Sequence, residues 1–349
     1  MASFTLVACG GKSMDAPSAA DGSSASTVPE PACETGPGVT TLVSPSGQFA
    51  YDIVVDDQWV WYAASDGVHR VSHTGSDDEV VGAAQDAVSL ALVGGEAWFF
   101  GDYLEGSGPK QQSAAALFAV STDGGVPAIA VGGAWSMVLT TDGSSLFWPS
   151  GAGVNRLDPP STAPQALFSA SPAGIVQALA VDDSYVYVPS SDLTGTGGTI
   201  GRVAKSGGSL ATIVGGQAQP CAIAVDDTSI YWVNSGHGEI WDGSYVPDAL
   251  MSANKDGSGV TVLAGDTPTS QTRGIVAVAV DADYVFWIET VSGQVMKMPK
   301  GGGAESVIAS GLTTPNYLAV HGGNVYWEND TEGSMSEGEP NHAVQTACK

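Results

Sequence analysis

The sequence predicts an all-β protein that folds as a seven-bladed β-propeller of four-stranded blades. Three observations support this prediction: seven copies of one two-strand motif, a spacing of about 40 to 50 residues between copies, and the lack of any long segment of helical period. Short β-branched and aromatic runs alternate instead with Gly, Asp and Ser, which is typical of all-β chains. Each repeat contains four predicted strands, the content of one propeller blade.

The clearest copy of the motif is PCAIAVDDTSIYWVN at residues 220–234, an apolar strand, an acidic turn and a second strand with aromatic residues. The first strand is apolar at consecutive positions, so both of its faces must be buried. Blades stacked face to face around an axis meet this requirement. Asp226 and Asp227 are typical hairpin residues, and we assign them to the turn rather than to a metal. The other copies lie at residues 53–62, 90–100, 138–148, 179–188, 278–287 and 318–327.

The ends of the chain predict how the ring closes. The seventh copy has two clear strands, a third predicted around residues 333–337, and no clear fourth strand. The missing strand is predicted at residues 40–47, so the last blade would be closed by the N-terminal strand. Cys33 and Cys348 flank the two ends that meet there, and we expect them to form a disulfide in an oxidising compartment.

The first residues predict a membrane tether. The segment LVAC, which ends at Cys9, resembles the lipobox of bacterial lipoproteins, in which the cysteine is acylated. The residues up to 38 are rich in Ala, Ser, Gly and Pro, as in flexible tethers. We therefore divide the chain into a lipobox-like start with a disordered tether (1–38) and a single propeller domain (39–349). An ordinary disordered tail is the alternative. The expected location is outside the cytoplasm, as an outer-membrane or cell-surface lipoprotein or a secreted protein.

The charge balance restricts the partners. The chain has 11 basic and 37 acidic residues, a formal net charge of −26. Such a field repels phosphate backbones and anionic lipids, so we expect no nucleic acid and no membrane contact other than a lipid anchor.

The motifs resemble those of known propeller families. IYWVN (230–234) and VYWEN (325–329) resemble the YWTD repeats of lipoprotein-receptor-type propellers. Third strands such as TIGRVAKSGG resemble those of bacterial propellers related to streptogramin lyases and to the gluconolactonase-like group. The resemblance covers about residues 40–337. Together with the seven copies and the lipobox-like start, it suggests a bacterial seven-bladed propeller lipoprotein. Because Val233 and Asn234 stand where those repeats have Thr-Asp, the polar network built from that aspartate is not carried over.

Candidate ligand-binding residues lie on long loops at the propeller face that carries the links from second to third strand and between blades. The longest are predicted at residues 101–113 and 235–248. Aromatic and carboxylate side chains on an exposed loop suit a sugar or a peptide. An alternative for the second loop is that Trp241 and Tyr245 pack it onto its own blade. The candidates are Tyr103, His237, Glu239, Trp241, Asp242, Tyr245 and Arg273.

The residues predicted at the starts of the innermost strands disfavour an enzyme, because they include no carboxylate and no histidine. They are Tyr51, Ser89, Met137, Gln177, Cys221, Val276 and Asn316. We therefore assign no catalytic residue, and Cys221 is predicted to be a buried thiol. Of the histidines, His69 and His73 are predicted at the surface, and His321 replaces a turn aspartate. No metal site is assigned, although acidic turns such as those at residues 281–283 and 254–256 are an unspecific signal for Ca²⁺.

These observations favour a non-catalytic, surface-exposed propeller that binds a protein or a glycan through its long-loop face. A propeller lyase or lactonase with a divalent metal in the central channel is one alternative. A structural surface or assembly subunit is another. Apart from the weak Ca²⁺ signal, no cofactor is expected.

Overall fold

The computed structural model has seven sheets, each of four antiparallel strands, and no helix in the residues it describes. The described residues are 38–44, 50–105, 112–151, 153–168, 174–191, 197–236, 246–267, 272–330 and 342–349. The innermost strand of each sheet packs against the innermost strands of both neighbours, so the sheets form a ring. The predicted seven-bladed β-propeller is confirmed.

The first four blades follow one another along the chain, and each runs from its innermost to its outermost strand. Blade 1 comprises β2 (Ala50–Val55), β3 (Trp59–Ala64), β4 (Gly67–Ser72) and β5 (Glu79–Ala83). Blade 2 comprises β6 (Gln85–Val93), β7 (Glu96–Glu105), β8 (Gln112–Ser121) and β9 (Ala128–Gly132). Blade 3 comprises β10 (Thr140–Thr141), β11 (Leu146–Ser150), β12 (Gly153–Leu157) and β13 (Gln165–Ala166). Blade 4 comprises β14 (Ala180–Val181), β15 (Tyr185–Ser190), β16 (Gly198–Ala204) and β17 (Ala211–Gln217).

The last three blades have the same order, except that blade 7 takes its outermost strand from the start of the chain. Blade 5 comprises β18 (Pro220–Val225), β19 (Ser229–Asn234), β20 (Ala249–Asn254) and β21 (Thr261–Gly265). Blade 6 comprises β22 (Ile275–Val280), β23 (Tyr284–Glu289), β24 (Gln294–Pro299) and β25 (Ser306–Ser310). Blade 7 comprises β26 (Thr314–His321), β27 (Asn324–Asp330), β28 (His342–Cys348) and β1 (Thr40–Val43).

We call the face where the innermost strands begin the upper face, and the opposite face the lower face. The upper face carries the links between blades and those from second to third strand. The lower face carries the turns from first to second and from third to fourth strand. No part of the described chain forms a helix long and apolar enough to cross a membrane.

Burial on both faces of the innermost strands explains the blade packing. All six residues of β18 and all six of β22 are buried, as their uninterrupted apolar sequences predict. The second strands supply large aromatic residues that fill the spaces between blades. Six of the tryptophans are buried in this way: Trp61, Trp98, Trp148, Trp232, Trp287 and Trp327.

The third strand of blade 7 differs from the sequence prediction. Its third strand is β28, which pairs with β27 from Asn324↔Cys348 to Asp330↔His342. The strand predicted around residues 333–337 lies outside the described residues, and AVQTAC supplies the third strand instead. β1 pairs with β28 at the outer edge of the blade, with Thr40 opposite Thr346. That this N-terminal strand is what holds the ring closed stays a prediction.

The cysteines are described only in part. Cys33 lies outside the described residues, so the Cys33–Cys348 disulfide stays a prediction, as does acylation of Cys9. Cys221 and Cys348 are not free thiols. The interpretation of Cys221 as a buried free thiol is therefore wrong; a strand position shows burial but cannot show the pairing partner.

Ion pairs between neighbouring blades repeat around the lower face. In each, the lysine directly after the third strand of one blade reaches the aspartate directly after the innermost strand of the preceding blade. The Nζ–Oδ2 distance is 2.9 Å for Lys255–Asp182 and 2.7 Å for Lys300–Asp226. The four inter-blade ion pairs are Lys205–Asp142, Lys255–Asp182, Lys300–Asp226 and Lys349–Asp281.

The aspartates of these pairs also form the turns, as predicted. Asp226 Oδ1 accepts the backbone N–H groups of Thr228 and Ser229, both at 2.8 Å. Burial alone would raise the pKa of Asp226, but the hydrogen bonds from Lys300 and from these N–H groups outweigh burial and lower it. The same Oδ1 contacts occur at Asp281, one of the residues weighed for Ca²⁺.

Arginines add a second repeated contact between blades. Arg156 of β12 donates to the carbonyl of Lys205 at 2.8 Å, and Arg202 of β16 donates to the carbonyl of Lys255 at 2.7 Å. Each guanidinium therefore holds the turn whose lysine reaches back to the arginine's own blade. In the segment RVAK of blade 4, Arg202 thus contacts blade 5 and Lys205 contacts blade 3.

Two histidines predicted at the surface are buried or half-buried. His69 is buried and stacks on the Tyr62 ring with 4.8 Å between centroids. His73 lies directly after the third strand of blade 1, the position that holds lysine in the inter-blade ion pairs. It lies beside His321, which occupies the position of the turn aspartate in blade 7. The pattern of the turns placed His321 correctly but gave no sign that the two histidines would meet.

Candidate functional site

The residues predicted to bind a ligand are only partly described. His237, Glu239, Trp241, Asp242 and Tyr245 lie outside the described residues and remain predictions.

Tyr103, by contrast, lies near the upper end of β7. Its ring packs edge-on against Phe118 of the same blade, with 6.3 Å between centroids. Tyr103 therefore packs against its own blade, and its role in binding a ligand stays a prediction.

Arg273 lies in the link between blades 5 and 6, where two carboxylates hold its guanidinium. Nη2 lies 2.7 Å from Glu305 Oε2, and Nη1 lies 3.1 Å from Glu289 Oε1. The same Glu289 oxygen accepts the indole N–H of buried Trp287 at 2.9 Å. These contacts tie the link to blade 6, and the role of Arg273 in binding a ligand stays a prediction.

The upper ends of the innermost strands contain carboxylates that the sequence-predicted ring lacks. Five of these strands carry a β-bulge there, and the bulged residues are Tyr51, Ser89, Cys221, Val276 and Tyr317. In blade 7 the bulged residue is Tyr317, directly after Asn316, which the sequence placed at the start of this strand. Asp52 follows the first bulge, and its Oδ2 accepts the N–H of Leu90 in blade 2 at 2.7 Å. A bulge inserts an extra residue into the strand, so its position cannot be predicted from a sequence pattern of period two.

A carboxylate–imidazole pair lies at the upper end of blade 7. Glu328 Oε1 contacts His342 Nδ1, and the Glu328 side chain is buried. Burial raises the pKa of Glu328 to about 7, although His342 opposes this shift. The pKa of His342 is also raised, because the bond to Glu328 outweighs the effect of burial. Each group of the pair therefore holds a proton more tightly in the folded protein than the isolated side chain does.

A pocket of about 320 Å³ opens on the upper face between blades 2 and 3. We call it the blade 2–3 pocket. Trp148 of β11 lies at its base, and Trp135, from the link between the two blades, lies at its edge. Ser150 and Asn155 supply polar side chains. The full lining is Val131, Gly132, Gly133, Ala134, Trp135, Trp148, Pro149, Ser150, Gly151, Asn155 and Pro164.

The local structure of the link exposes Trp135. Ser136 is buried, and its hydroxyl bonds to the backbone of Val138 through contacts of 3.0 Å with both the carbonyl and the N–H. With Ser136 turned inward, its neighbours Trp135 and Met137 are 46% and 49% exposed. A large exposed aromatic side chain beside a pocket is characteristic of ligand-binding surfaces.

Several polar groups of the pocket have no partner among the described residues. The equivalent tryptophans of blades 5, 6 and 7 donate their indole N–H to Gln217, Glu289 and Gln345. Trp148 is equally buried, but in the described part of the chain its N–H has no acceptor. The side chains of Ser150 and Asn155 also make no hydrogen bond to any described residue. The pocket therefore presents hydrogen-bonding groups that a ligand can use.

The sequence patterns gave no indication of Trp135. The other large aromatic residues of the motif lie in second strands, whereas Trp135 lies in the short segment GGAWSM between an outermost and an innermost strand. A tryptophan in a Gly-rich link, away from the blade pattern, was the signal that could have identified it.

Comparison with solved structures shows the same fold in proteins of low sequence identity. Virginiamycin B lyase from Staphylococcus aureus has a TM-score of 0.62 and 11% identity, covering 89% of this chain and 100% of that chain. A streptogramin B lyase structure has a TM-score of 0.60 and 14% identity, covering 88% and 97%. Kuenenia stuttgartiensis hydrazine synthase has a TM-score of 0.57 and 10% identity, covering 80% and 92%.

Identities this low show the fold alone. The expected resemblance to streptogramin-lyase-like propellers is confirmed at that level. No protein-family model and no curated protein sequence matches the chain.

Proposed function

We propose that this protein binds a neutral glycan in the blade 2–3 pocket of its upper face and does not transform it. The observation that carries the proposal is the combination of exposed Trp135 with the unpartnered indole N–H of Trp148 in one pocket.

The chemistry of the lining fits a sugar ring. The apolar C–H face of a sugar packs on an exposed indole, as on other aromatic recognition surfaces. Its hydroxyls both donate and accept, and they match the amide of Asn155, the hydroxyl of Ser150 and the N–H of Trp148. The volume of about 320 Å³ lies at the lower end of the range of small-ligand pockets, about 300–1,000 Å³.

The absence of charge in the lining supports a neutral ligand. None of the eleven residues around the pocket is charged, in a chain with a net charge of −26. An anionic ligand would meet both the unfavourable field of the whole protein and a pocket with no cation. A cationic ligand would find no carboxylate to pair with there. Sugars without carboxylate, phosphate or amino groups fit best.

A peptide or protein partner is less well supported than a glycan. Stable protein interfaces bury about 800 Å² on each partner, usually around a cluster of large side chains. Among the described residues of the upper face, exposed Met137 lies in the same link as Trp135, whereas Ile175 and Val291 lie in the links or turns of other blades. Ile175 and Val291 do not extend the surface around Trp135 into one apolar patch.

The location of the proposed activity is outside the cytoplasm. The lipobox-like segment at Cys9 and the tether composition support display of the propeller at a cell surface, where glycans are accessible.

Glycan-array screening followed by calorimetric titration tests the proposal. We expect a neutral glycan to bind, and Trp135→Ala to weaken its binding at least tenfold, about 1.4 kcal/mol. Asn155→Ala should weaken it to a smaller extent. Val291→Ala, which removes an exposed apolar side chain from another part of the upper face, is the matched control and should leave the affinity unchanged.

Two outcomes would contradict the proposal. One is that no neutral glycan binds to the folded wild-type protein. The other is that binding is lost equally in Trp135→Ala and in the Val291→Ala control, since the site would then lie elsewhere.

A second candidate function is a lyase, and the Glu328–His342 pair favours it. A buried carboxyl group with a pKa of about 7 next to an imidazole can take or give a proton at neutral pH. Two similar structures are those of streptogramin-type lyases. The described residues contain no group of three or more His, Cys, Asp or Glu side chains that could hold a metal ion, so the metal of this alternative finds no support in them.

The lyase alternative predicts turnover that depends on this pair. Mass spectrometry of a cyclic ester or lactone incubated with the protein would detect a linear product. Such a product from the wild-type protein, absent with Glu328→Gln, would replace glycan binding as the preferred function.

A further inference from the structure

The interface between blade 7 and blade 1 differs from its neighbours in the residues that join the lower face. Four successive interfaces, from blades 3–4 to blades 6–7, carry an inter-blade lysine–aspartate ion pair. At the next interface His73 takes the lysine position and His321 takes the aspartate position. Their rings stack with 6.0 Å between centroids and an interplanar angle of 22°. A permanent ion pair is thus replaced by two groups of the same kind.

The hydrogen bonds of His73 define its neutral state. Nε2 lies 2.9 Å from the carbonyl oxygen of Asp56, which can only accept, so Nε2 carries the proton. Nδ1 lies 2.7 Å from the hydroxyl of Tyr326 in blade 7 and accepts from it. Neutral His73 therefore joins blade 1 to blade 7 with both ring nitrogens satisfied.

Protonation works against this arrangement. A second proton, on Nδ1, would require the Tyr326 hydroxyl to turn away, although its oxygen already faces the Asn324 amide at 3.4 Å. It would also place a positive charge beside His321. Burial lowers the pKa of His73, and His321 lowers it further, although the carbonyl of Asp56 and the charges of Asp56 and Asp57 act in the opposite sense.

The carboxylates of Asp56 and Asp57 offset only part of the effect of burial and of His321 on His73. His321 Nε2 lies 3.1 Å from Asp57 Oδ1, but the Asp57 side chain is 96% exposed and is well screened by water. The ammonium of Lys349, in blade 7, is directed to Asp281 of blade 6.

We propose that the blade 7–blade 1 interface is a pH-sensitive latch that is closed at neutral pH and loosens under mildly acidic conditions, while the lysine–aspartate interfaces stay closed. This inference goes beyond glycan binding and does not depend on it.

The sign of the effect follows from linkage. A histidine whose pKa is lower in the folded than in the unfolded state binds fewer protons when folded, so stability rises with pH. The loss begins as the pH falls below about 6.5, the ordinary histidine value, and continues down to the lowered pKa of His73. The aspartates of the ion pairs have lowered pKa values and lose their contribution only as the pH falls below about 4. Between pH 5 and 6.5, therefore, the histidine interface loses stability while the lysine–aspartate interfaces keep theirs.

Hydrogen exchange at pH 7.5 and 5.5 tests the latch, with blades 5 and 6 as the reference within each sample. After correction for intrinsic rates, we expect acidification to lower the protection of β2 and β26 by up to about tenfold relative to β18 and β22. The double variant His73→Lys, His321→Asp places the common ion pair at this interface and should abolish the difference. His73→Gln, which cannot become charged, is the second variant and should also abolish it.

Equal loss of protection in all blades of the wild-type protein would overturn the proposal. So would a blade-specific loss that persists in His73→Gln, because a group other than His73 would then be responsible. If the double variant fails to fold, His73→Gln alone decides between these outcomes.

Discussion

At the scale of single residues, the tryptophans divide into two groups that the sequence only partly separates. Those in second strands are buried, apart from half-buried Trp59 at the start of β3, because the inner positions of these strands face a neighbouring blade. Trp135 lies outside the motif, and its exposure depends on the inward turn of Ser136, a local hydrogen bond that no periodicity encodes. The indole N–H of Trp148 has no acceptor among the described residues, whereas the equivalent tryptophans of blades 5, 6 and 7 bond to Gln217, Glu289 and Gln345. This difference between blades is visible only in the three-dimensional structure.

The sequence-predicted channel residues show a similar limit. The positions of Tyr51, Ser89 and Val276 at bulges agree with the predicted ring, because the start of each innermost strand is clear from the motif. Glu328 was not predicted among these residues, because it lies in a second strand. It lies near the upper end of blade 7 because it pairs with Asn316 of the innermost strand.

The buried pair in blade 7 predicts how stability changes with pH. Because the pKa values of Glu328 and His342 are both raised, the folded protein binds more protons, and their contribution is lost as the pH rises through about 7. We expect the stability of the wild type relative to Glu328→Gln to fall between pH 5.5 and pH 8.5. Chemical denaturation across this range measures it. Parallel curves for the two proteins would show that the pair is not coupled to folding.

At the scale of elements, the few basic residues of the chain are used in structural contacts. Apart from Lys12 and Lys110, which lie outside the described residues, each lysine and arginine contacts a carboxylate, a backbone carbonyl or an aromatic ring. The nine are Arg70, Arg156, Arg202, Lys205, Lys255, Arg273, Lys297, Lys300 and Lys349. Four of these cations, Lys205, Lys255, Lys300 and Lys349, form ion pairs between neighbouring blades.

The inter-blade ion pairs could not be derived from the sequence alone. The motif gave the turn aspartates and the lysines after the third strands, but not the offset of one blade that brings them together. That offset depends on the packing of neighbouring sheets. The hairpin role of the aspartates was predicted correctly, and their second role as partners of lysine was missed.

Removal of one lysine should show what such a pair contributes. In Lys300→Met, Asp226 loses its cation in a half-buried position, and we expect the free energy of unfolding to fall by about 1–2 kcal/mol. Lys297→Met removes the same charge from the same strand region, but this lysine contacts only the ring of Tyr284, at 4.9 Å. It is the matched control and should cost about 0.5 kcal/mol.

Urea denaturation at pH 7 measures both variants. A loss in Lys297→Met as large as that in Lys300→Met would mean that net charge, and not the contact between blades 5 and 6, is responsible.

At the scale of the whole molecule, the ring brings the two ends of the described chain into one blade. β1 pairs with β28, and the Gln345 side chain donates to Thr41 at 3.2 Å. This blade also contains the Glu328–His342 pair and one side of the histidine latch. The repeats predicted the number of blades and their order, because each blade buries its surface only against its neighbours. The upper-face pocket was not predictable in this way, since it depends on the link between two particular blades.

The two faces of the propeller differ in the residues that they contain. The lower face contains the ion pairs and the histidines that hold blades together. The upper face contains the uncharged blade 2–3 pocket and the links whose sequences differ most between repeats.

A crystal structure of the protein soaked with the tightest-binding neutral glycan tests the proposed function most directly. We predict a sugar ring stacked on Trp135, with hydroxyl groups within hydrogen-bonding distance of Asn155 and of the indole N–H of Trp148. A sugar bound over the central axis beside Glu328, with the blade 2–3 pocket left empty, would contradict the proposal.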